Sequence, residues 1–591
     1  MIRKKTMVVQ VGAIAVGGNH PVAIQSMTNT ATHDIEKTVE QIISIWKAGA
    51  DFVRVTIPNT KDLEATKEIK AVLKERGLDI PLVADIHFSP KLAVQAAAIV
   101  DKVRINPGNF AELGGNFKLN EQKQQAFIRQ KVSELVTVCN QHNTTIRIGV
   151  NHGSLSERML QKYGDTPEGM VHSVMEYLEI FQALNFNRII ISLKSSNPLV
   201  MIYANRLLKR KMNEAGVNFP LHLGVTEAGD GEAGRMKSAV GIGTLLLEGI
   251  GETIRVSLTE PPEKEIPVAK NIIQYAKERK AIPLSDSKTL ILPETFVKKH
   301  VSSMPFFNFA KYSQVLVAEK DFDYESPQHI LFCDKAPLGK KVINPSSIPS
   351  SQDVYSVPVL TVKGLNAINI FPDSEKMLLV TLSDLKTNIE KIKGVPHLIF
   401  IYHLSDSSPI NEIDLFFSFL EKEKMNNPVI FHKHYNEDDL ETLQVKVAMD
   451  FGRHFINGYG NGLFITNSGK ITNDEISQLS YSLLQATRTL ITKTEYIACP
   501  SCGRTLFDLE TTTQKIRSRT SHLKGLKIAI MGCIVNGIGE MADADYGYVG
   551  GAPGKITLYK NRAVVKKNIP EEKAVDELIA LIKESGDWIA Q

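Results

Sequence analysis

Lys-Val-Arg-Ile-Asn-Pro-Gly-Asn at residues 102–109 and Thr-Ile-Arg-Ile-Gly-Val-Asn at 145–151 are built alike. In each, β-branched residues flank an arginine and an asparagine follows an even number of positions later. Period-two geometry puts Arg104 with Asn106, and Arg147 with Asn151, on common faces of their strands. An apolar strand that turns polar at its carboxyl end is the mark of a parallel sheet carrying a site at that end. Working outward, the unit of short strand, polar turn and amphipathic helix repeats from Val22 to about Pro262. Eight strands are expected, at Val22 to Asn29, Phe52 to Pro58, Pro81 to Phe88, Lys102 to Asn109, Thr145 to Ser154, Arg188 to Ser196, Leu221 to Gly229 and Thr253 to Pro262. Helical patterns such as Asp34 to Ala48, Thr166 to Leu184 and Gly234 to Glu248 lie between them, with Gly49, Gly216 and Gly249 near helix ends. Eight such units imply a (β/α)8 TIM barrel, with an open doubly wound sheet as the alternative.

The chain has 591 residues, too many for one core, and two or three domains are expected. A last barrel helix near Glu263 to Ala281 precedes a linker at Pro283 to Pro293. The division is therefore 1–284 for the barrel, 285–490 for an inserted α/β domain and 491–591 for a small α+β domain. The middle block alternates strands (Lys376 to Ser383, His397 to Leu404, Pro428 to Tyr435) with helices, and its strand ends read as less polar, which suggests a structural role. The last hundred residues carry a strand at Leu526 to Met531, a Gly-rich aromatic stretch and a closing helix at Glu571 to Ser585.

A balance of 69 Lys+Arg against 65 Asp+Glu and a pI of 8.5 give no concentrated basic face, so no nucleic-acid partner is expected. No run of 18 apolar residues occurs, and Met1-Ile2-Arg3-Lys4-Lys5 leads into an alternating run rather than a signal-peptide core. A cytoplasmic protein with no membrane partner is expected, and five cysteines in a reducing compartment are thiols or metal ligands.

Four strands hold an arginine between apolar neighbours: Arg54, Arg104, Arg147 and Arg255; Lys194 adds a fifth cation. Internal ion pairing is the plain explanation, but the acids at comparable positions are Asp85 and Glu227. Five cations against two carboxylates leave positive charge without a partner, and a small anion such as a diphosphate would balance it. Glu227 is a candidate proton donor or acceptor. Asp85 and His87 share a strand face. His33 and His152 read as turn residues, and Gly229 to Gly234 is a weak phosphate-loop signal.

Cys499-Pro500-Ser501-Cys502-Gly503 is a C-x2-C, and Cys533 ends a predicted strand. Three thiolates there are compatible with a catalytic iron-sulfur cluster, with structural zinc or with coincidence. Zinc needs a fourth ligand, for which His522 is the neighbouring candidate. Glu540 follows beyond a turn, Asn536-Gly537-Ile538-Gly539, flexible enough to return its carboxylate to a cluster. Cys139 and Cys333 read as packed thiols.

Seven segments in order carry a resemblance: Gln25 to Thr30, Ala84 to Phe88, Arg104 to Asn109, Arg147 to Asn151, Leu223 to Gly229, Ala498 to Gly503 and Val535 to Glu540. Together they closely resemble the 4-hydroxy-3-methylbut-2-enyl diphosphate synthases of the non-mevalonate (MEP) isoprenoid pathway, in the long, three-domain form whose inserted domain is barrel-like. The resemblance implies reductive ring opening and dehydration of 2-C-methyl-D-erythritol 2,4-cyclodiphosphate, the work of an oxidoreductase acting on CH or CH2 groups (EC 1.17.7 type). It implies a [4Fe-4S] cluster on Cys499, Cys502, Cys533 and Glu540. It further implies Arg54, Arg104, Arg147, Lys194 and Arg255 on the diphosphate, a pocket lined by Asp85, His87, Asn106 and Asn151, and proton transfer by Glu227. Ile538, where the family commonly has proline, departs from the pattern at the approach to Glu540. A ferredoxin or flavodoxin is the implied electron donor. The cap over the barrel comes from the chain itself or from a second copy, so the protein is a monomer or a homodimer. A TIM-barrel lyase or isomerase with structural zinc, and a scaffold protein, are the competing readings.

Overall fold

The computed structural model describes residues 5–86, 88–112, 121–279, 304, 314–318, 328–332, 340–343, 356–370, 374–406 and 411–590. The chain forms two compact units. One comprises Met1–Lys277, Pro283–Leu290 and Lys493–Gln591, and the other comprises Glu278–Ile282 and Ile291–Thr492. The expected linker at Pro283 to Pro293 and Cys333 lie outside the described residues.

The first unit is built on eight parallel strands, Ala23–Met27, Phe52–Thr56, Leu82–Asp85, Lys102–Ile105, Thr145–Asn151, Ile189–Lys194, His222–Leu223 and Thr253–Ile254. They are neighbours in chain order, the eighth pairs with the first and the seventh, and a parallel bridge between Ile191 and Leu221 completes the ring. This is the TIM barrel, and the open sheet is excluded. Every strand stops before its expected end. The polar residues beyond leave the ladder to bind one another and the side chains above them, so apolar periodicity carried past the ladder overstates its length. Helices follow the strands as their caps direct. Thr166 starts Pro167–Ala183 by accepting from the Gly169 amide at 3.2 Å, and Gly49 ends Ile35–Ala48 at a φ of 113°.

The alternating N-terminal run folds as an antiparallel hairpin of Val9–Val11 and Ile14–Val16. Val9, Val11 and Val16 pack with Ala23, Phe52, Val83 and Ile190, sealing the barrel's amino-terminal end with an apolar plug. The opposite end is left for chemistry.

The second unit contains a closed eight-stranded barrel in the spatial order Gln314–Ala318, Lys340–Ile343, Gln328–Phe332, Ser356–Thr361, Lys376–Val380, Leu398–Leu404, Val429–Tyr435 and Gly462–Asn467. Gln328–Phe332 runs antiparallel to both its neighbours, so the barrel is mixed. Its core comprises Leu316, Val357, Val359, Met377, Ile399, Ile401, Ile430 and Phe464. The reading of these strand ends as poor in polar groups is corrected. His403 Nδ1 lies 2.8 Å from His432 Nδ1, and buried Lys433 binds Asp450 at 2.8 Å. His403 and the His432-Lys433-His434 run lie on different strands and come together only where those strands pair.

Residues 493–591 form a five-stranded sheet, with Glu495–Ala498, Lys527–Met531 and Tyr546–Ala552 parallel, followed by the antiparallel Lys555–Lys560 and Ala563–Pro570. Leu509–Thr520 and Glu571–Glu584 are its longer helices, and Leu509, Ile516, Leu578 and Ile582 pack with Ile528, Tyr548 and Leu558 of the sheet. The expected loose turn before Glu540 is instead a short helix, Ile534–Glu540. The Ile538 side chain lies outside the described set.

Candidate active site

The barrel mouth and residues 493–591, both within the first unit, meet over one cavity with an empty volume of about 780 Å³, part of it open to solvent. From below it is lined by Arg54, Asp85, Arg104, Arg147, Asn151, Lys194, Glu227 and Arg255, and from above by Cys499, Cys502, Arg504, Cys533 and Glu540. The chain's own C-terminal domain thus covers the mouth. Several contacts hold it there. Ala228 and Ala498 form a parallel bridge, Lys237 Nζ donates to the Tyr496 carbonyl at 3.2 Å, and Arg517 pairs with Asp230. Gly153 and Gly539 meet backbone to backbone: a Cβ on Gly153, whose φ is +84°, would stand 1.9 Å from the Gly539 carbonyl oxygen. Only glycine permits that approach.

The Gly229 to Gly234 run serves this closure. Asp230 is bound by Arg517, and the Gly231 amide donates to Glu260 Oε1 at 3.0 Å, which corrects the phosphate-loop reading. His33 binds Asp62 and His152 reaches the Asp165 carbonyl, both in local roles. Cys139 is buried, and burial pushes its thiol up to about 12. Asn106 is also buried, but its Oδ1 accepts from the Gly108 amide at 3.0 Å, so it builds the turn after its strand and does not line the cavity. His87 lies outside the described residues.

Asp85 gathers cations from both halves. Arg504 Nη2 is 3.1 Å from its Oδ2, Arg104 Nη1 is 3.5 Å from Oδ1, and Arg54 Nη2 is 4.0 Å from Oδ2. Arg255 is matched differently. It forms two parallel bonds to Glu265, at 3.0 and 3.2 Å, and Ser26 Oγ adds a third to the same carboxylate at 2.7 Å. Glu265 was missing from the charge balance because it sits on the helix after the last strand, far from Ser26 in the chain. Arg504 also escaped the sequence reading, although a cation two places after the C-x2-C is a signal of a partnered site. With Arg255 matched and Arg504 added, positive charge still exceeds negative. Arg147 is 2% exposed, and its Nε and Nη1 have no hydrogen-bond partner. Burial, then Arg54 and Arg104, lower its pKa. Burial, then Arg147, does the same to Lys194, and burial brings Arg54 down to about 10 despite Asp85. These cations are short of an anion.

Glu227 adopts a left-handed φ of 48°, an uncommon conformation for a side chain of its size that aims it into the cavity. Burial and then the Glu540 carboxylate push it well above its usual range, while one oxygen, Oε2, has no hydrogen-bond partner. Glu540 accepts from Asn151 Nδ2 at 2.7 Å. Burial raises Glu540 as well, and one proton held between the two carboxyls relieves their repulsion.

Cys499, Cys502 and Cys533 are partly exposed on that cavity and in no disulfide, and Cys499 Sγ accepts from the Gly532 amide at 3.2 Å. Burial and then the other two sulfurs hold the Cys499 thiol up, a repulsion that a cationic group between the three would remove. Among the described residues no three His, Cys, Asp or Glu donors are gathered tightly enough for a single ion. The three thiols and Glu540 line one cavity, and thiolate sulfur is a donor to zinc and to iron-sulfur clusters alike. His522, the zinc candidate, is turned to the Ile589 carbonyl.

Comparison with known proteins follows the same division. Residues 6–270 match the GcpE TIM-barrel domain, and residues 495–584 match the GcpE protein C-terminal domain. The chain is 43% identical to the 4-hydroxy-3-methylbut-2-en-1-yl diphosphate synthase (flavodoxin) of Phocaeicola vulgatus, over 99% of this chain and 98% of that one. It is 43% identical to the synthase of the same name from Porphyromonas gingivalis, over 99% and 98%. It is 38% identical to the chloroplastic, ferredoxin-named synthase of Oryza sativa subsp. japonica, over 99% and 88%. A barrel that collects cations in excess of acids, roofed by three thiols and a carboxylate, therefore sits in a chain that belongs to the GcpE family of 4-hydroxy-3-methylbut-2-en-1-yl diphosphate synthases.

Proposed function

We propose that the protein is an oxidoreductase that opens the ring of 2-C-methyl-D-erythritol 2,4-cyclodiphosphate and removes water, giving 4-hydroxy-3-methylbut-2-enyl diphosphate, with electrons from a flavodoxin or ferredoxin. The names of its relatives support the reaction and the donors. The observation that carries the reading is one cavity whose lining combines Arg147, two of whose donors are unpartnered, with three cysteine thiols. In this reading Cys499, Cys502, Cys533 and Glu540 would hold a [4Fe-4S] cluster, which would relay, one at a time, the two electrons that the carrier protein delivers.

The remaining work falls to the chain's own residues. Arg147 and Lys194, with Arg54 and Arg104 beside Asp85, bind the diphosphate and fix the substrate's orientation. Binding relieves the mutual repulsion that depresses these cations, so the anion's charge is met without reorganising the site. Glu227 holds its proton through burial and delivers it to the departing oxygen. Asn151 orients Glu540. Arg504 ties the roof to Asp85, and the roof restricts the access of bulk water to the reacting carbon. Arg255 stiffens the last strand through Glu265 and presents its outer edge to the cavity.

Among the described residues no helix is long and apolar enough to cross a membrane. A cytoplasmic location belongs to this proposal and rests on the need for reduced thiols.

Anaerobically purified protein tests the reading: iron and acid-labile sulfide are expected in about equal amounts, as a four-iron, four-sulfide cluster requires. Turnover of the cyclic diphosphate is expected with a chemical reductant and with a carrier protein. Glu227→Gln and Arg147→Ala are expected to lose most turnover while keeping the iron. Zinc without sulfide, or full activity in both variants, overturns the proposal.

A further inference from the structure

Beneath the cavity the barrel interior holds a polar layer that the chemistry above leaves unused. Met27, Arg54, Arg104, Arg147, Lys194 and Arg255 line the cavity, so the residues two places before them also face inward. Five of these, Gln25, Lys102, Thr145, Ser192 and Thr253, are polar and buried, and Gln25 and Lys102, with His222 of the seventh strand, carry atoms that lack a hydrogen-bond partner. Lys102 is 0% exposed, its Nζ sits 3.7 Å above the Phe52 ring, and it has no hydrogen-bond partner. The charged groups acting on it are Arg147 and Arg54, both of its own sign. Gln25 leaves both amide atoms unpartnered. His222 reaches Thr253 Oγ1 at 3.3 Å through Nδ1 but leaves Nε2 unpartnered.

Two accounts of Lys102 compete, and magnitudes separate them. The face of an aromatic ring offsets only part of the cost of burying an ammonium without a counter-ion, and the neighbouring guanidiniums add repulsion. The charged form is the poorer one, and the amine stays neutral, with a lone pair to offer. The group in need of an acceptor is on the neighbouring strand, where Lys102 pairs with Thr145, two places before Arg147: Arg147 carries unpartnered Nε and Nη1 atoms, and its guanidinium cannot give up its proton as readily as an amine can. Unpartnered buried polar atoms on four inward-facing side chains are also the setting in which an ordered water is held.

We propose that Lys102 is a positioning residue for the anion site: an uncharged amine that takes a hydrogen bond from the underside of Arg147, directly or through a water shared with Gln25 and His222, and so aims the guanidinium without adding a charge. The proposal rests on the reading of Arg147 as a diphosphate ligand. Deep barrel residues then set affinity at the mouth by fixing one arginine.

Inorganic pyrophosphate binding to the full-length, cluster-loaded protein, measured by calorimetry, tests it. Lys102→Met keeps length and removes the lone pair. Its affinity for pyrophosphate is expected to fall about tenfold or more, the worth of a hydrogen bond to a charged group. The KM for the cyclic diphosphate is expected to rise by the same factor, with little change in kcat. In an Arg147→Lys background the same substitution is expected to change affinity less than about twofold, because its effect passes through Arg147. Lys102→Arg, permanently charged, is expected not to restore binding. Wild-type affinity in Lys102→Met, effects of Lys102→Met and Arg147→Lys that simply multiply, or rescue by Lys102→Arg each overturns the proposal. If Lys102→Arg does not fold, the cycle with Arg147→Lys decides alone. Wild-type protein that ignores pyrophosphate refutes the anion site itself. Wild-type protein that binds it, with a Lys102→Met variant that binds equally, refutes only the role of Lys102.

Discussion

Replacing Glu265 by glutamine separates a buried ion pair from its surroundings with almost no change of shape. The carboxylate accepts from Arg255 Nη2 at 3.0 Å, Arg255 Nε at 3.2 Å, Ser26 Oγ at 2.7 Å and the Leu258 amide at 3.3 Å. Every partner is a donor, so the new NH2 group must face one of them. Both side chains are nearly sealed, at 3% and 2% exposure, which leaves Arg255 charged and uncompensated. Breaking a buried pair in this way costs about 3–5 kcal/mol. Urea unfolding followed by tryptophan fluorescence measures it, because Trp46 and Trp588 both belong to the unit that holds the site and the second barrel contributes no tryptophan signal. Removing both partners, as Arg255→Leu with Glu265→Met, is expected to cost less than Glu265→Gln alone, since no unpaired charge remains. A Glu265→Gln protein within about 0.5 kcal/mol of wild type, the range of an ordinary surface change, refutes the reasoning that Arg255 is matched before any substrate arrives.

Gly153→Ala sets a methyl group against the Gly539 carbonyl at a left-handed backbone position. Turnover is expected to drop more than about tenfold, as a misplacement near 1 Å produces, with circular dichroism unchanged. Arg504→Met removes the roof's hold on Asp85; iron content is expected to persist while the KM for the cyclic diphosphate rises, and an unchanged KM counts against that role. Cys139 gives a pH dependence of known sign. Its folded thiol ionises at about 12 against an ordinary value of 9.0, so its contribution is complete below pH 9 and is lost as pH rises toward 12. Cys139→Ala is expected to flatten that part of the stability profile, and iodoacetamide near pH 8 is expected to spare Cys139 in native protein while alkylating the cluster cysteines of apoprotein.

Much of this molecule is written locally. The strand-turn-helix repeat specified eight parallel strands because a β-branched run between polar turns has few other ways to bury itself, and the glycine at 49 marked a helix end because its left-handed backbone suits no other residue as well. Charge counting along the strands pointed to an anion site, and the spacing of Cys499, Cys502 and Cys533 marked a place for a metal-sulfur group.

Other features exist only once distant segments meet. Glu265 neutralises Arg255 across the end of the barrel, Arg504 reaches Asp85 from another domain, and Glu227 is pushed up by burial and then by Glu540, which arrives on a helix more than 300 residues later. The quiet lysine under Arg147 is of the same kind: Lys102 reads as an ordinary strand residue until ring closure surrounds it with cations and removes every counter-ion. Backbone preference and apolar periodicity act over a few residues and can be read in order. Electrostatics and desolvation act through space, so the pairing and protonation of these groups were decided by the tertiary structure.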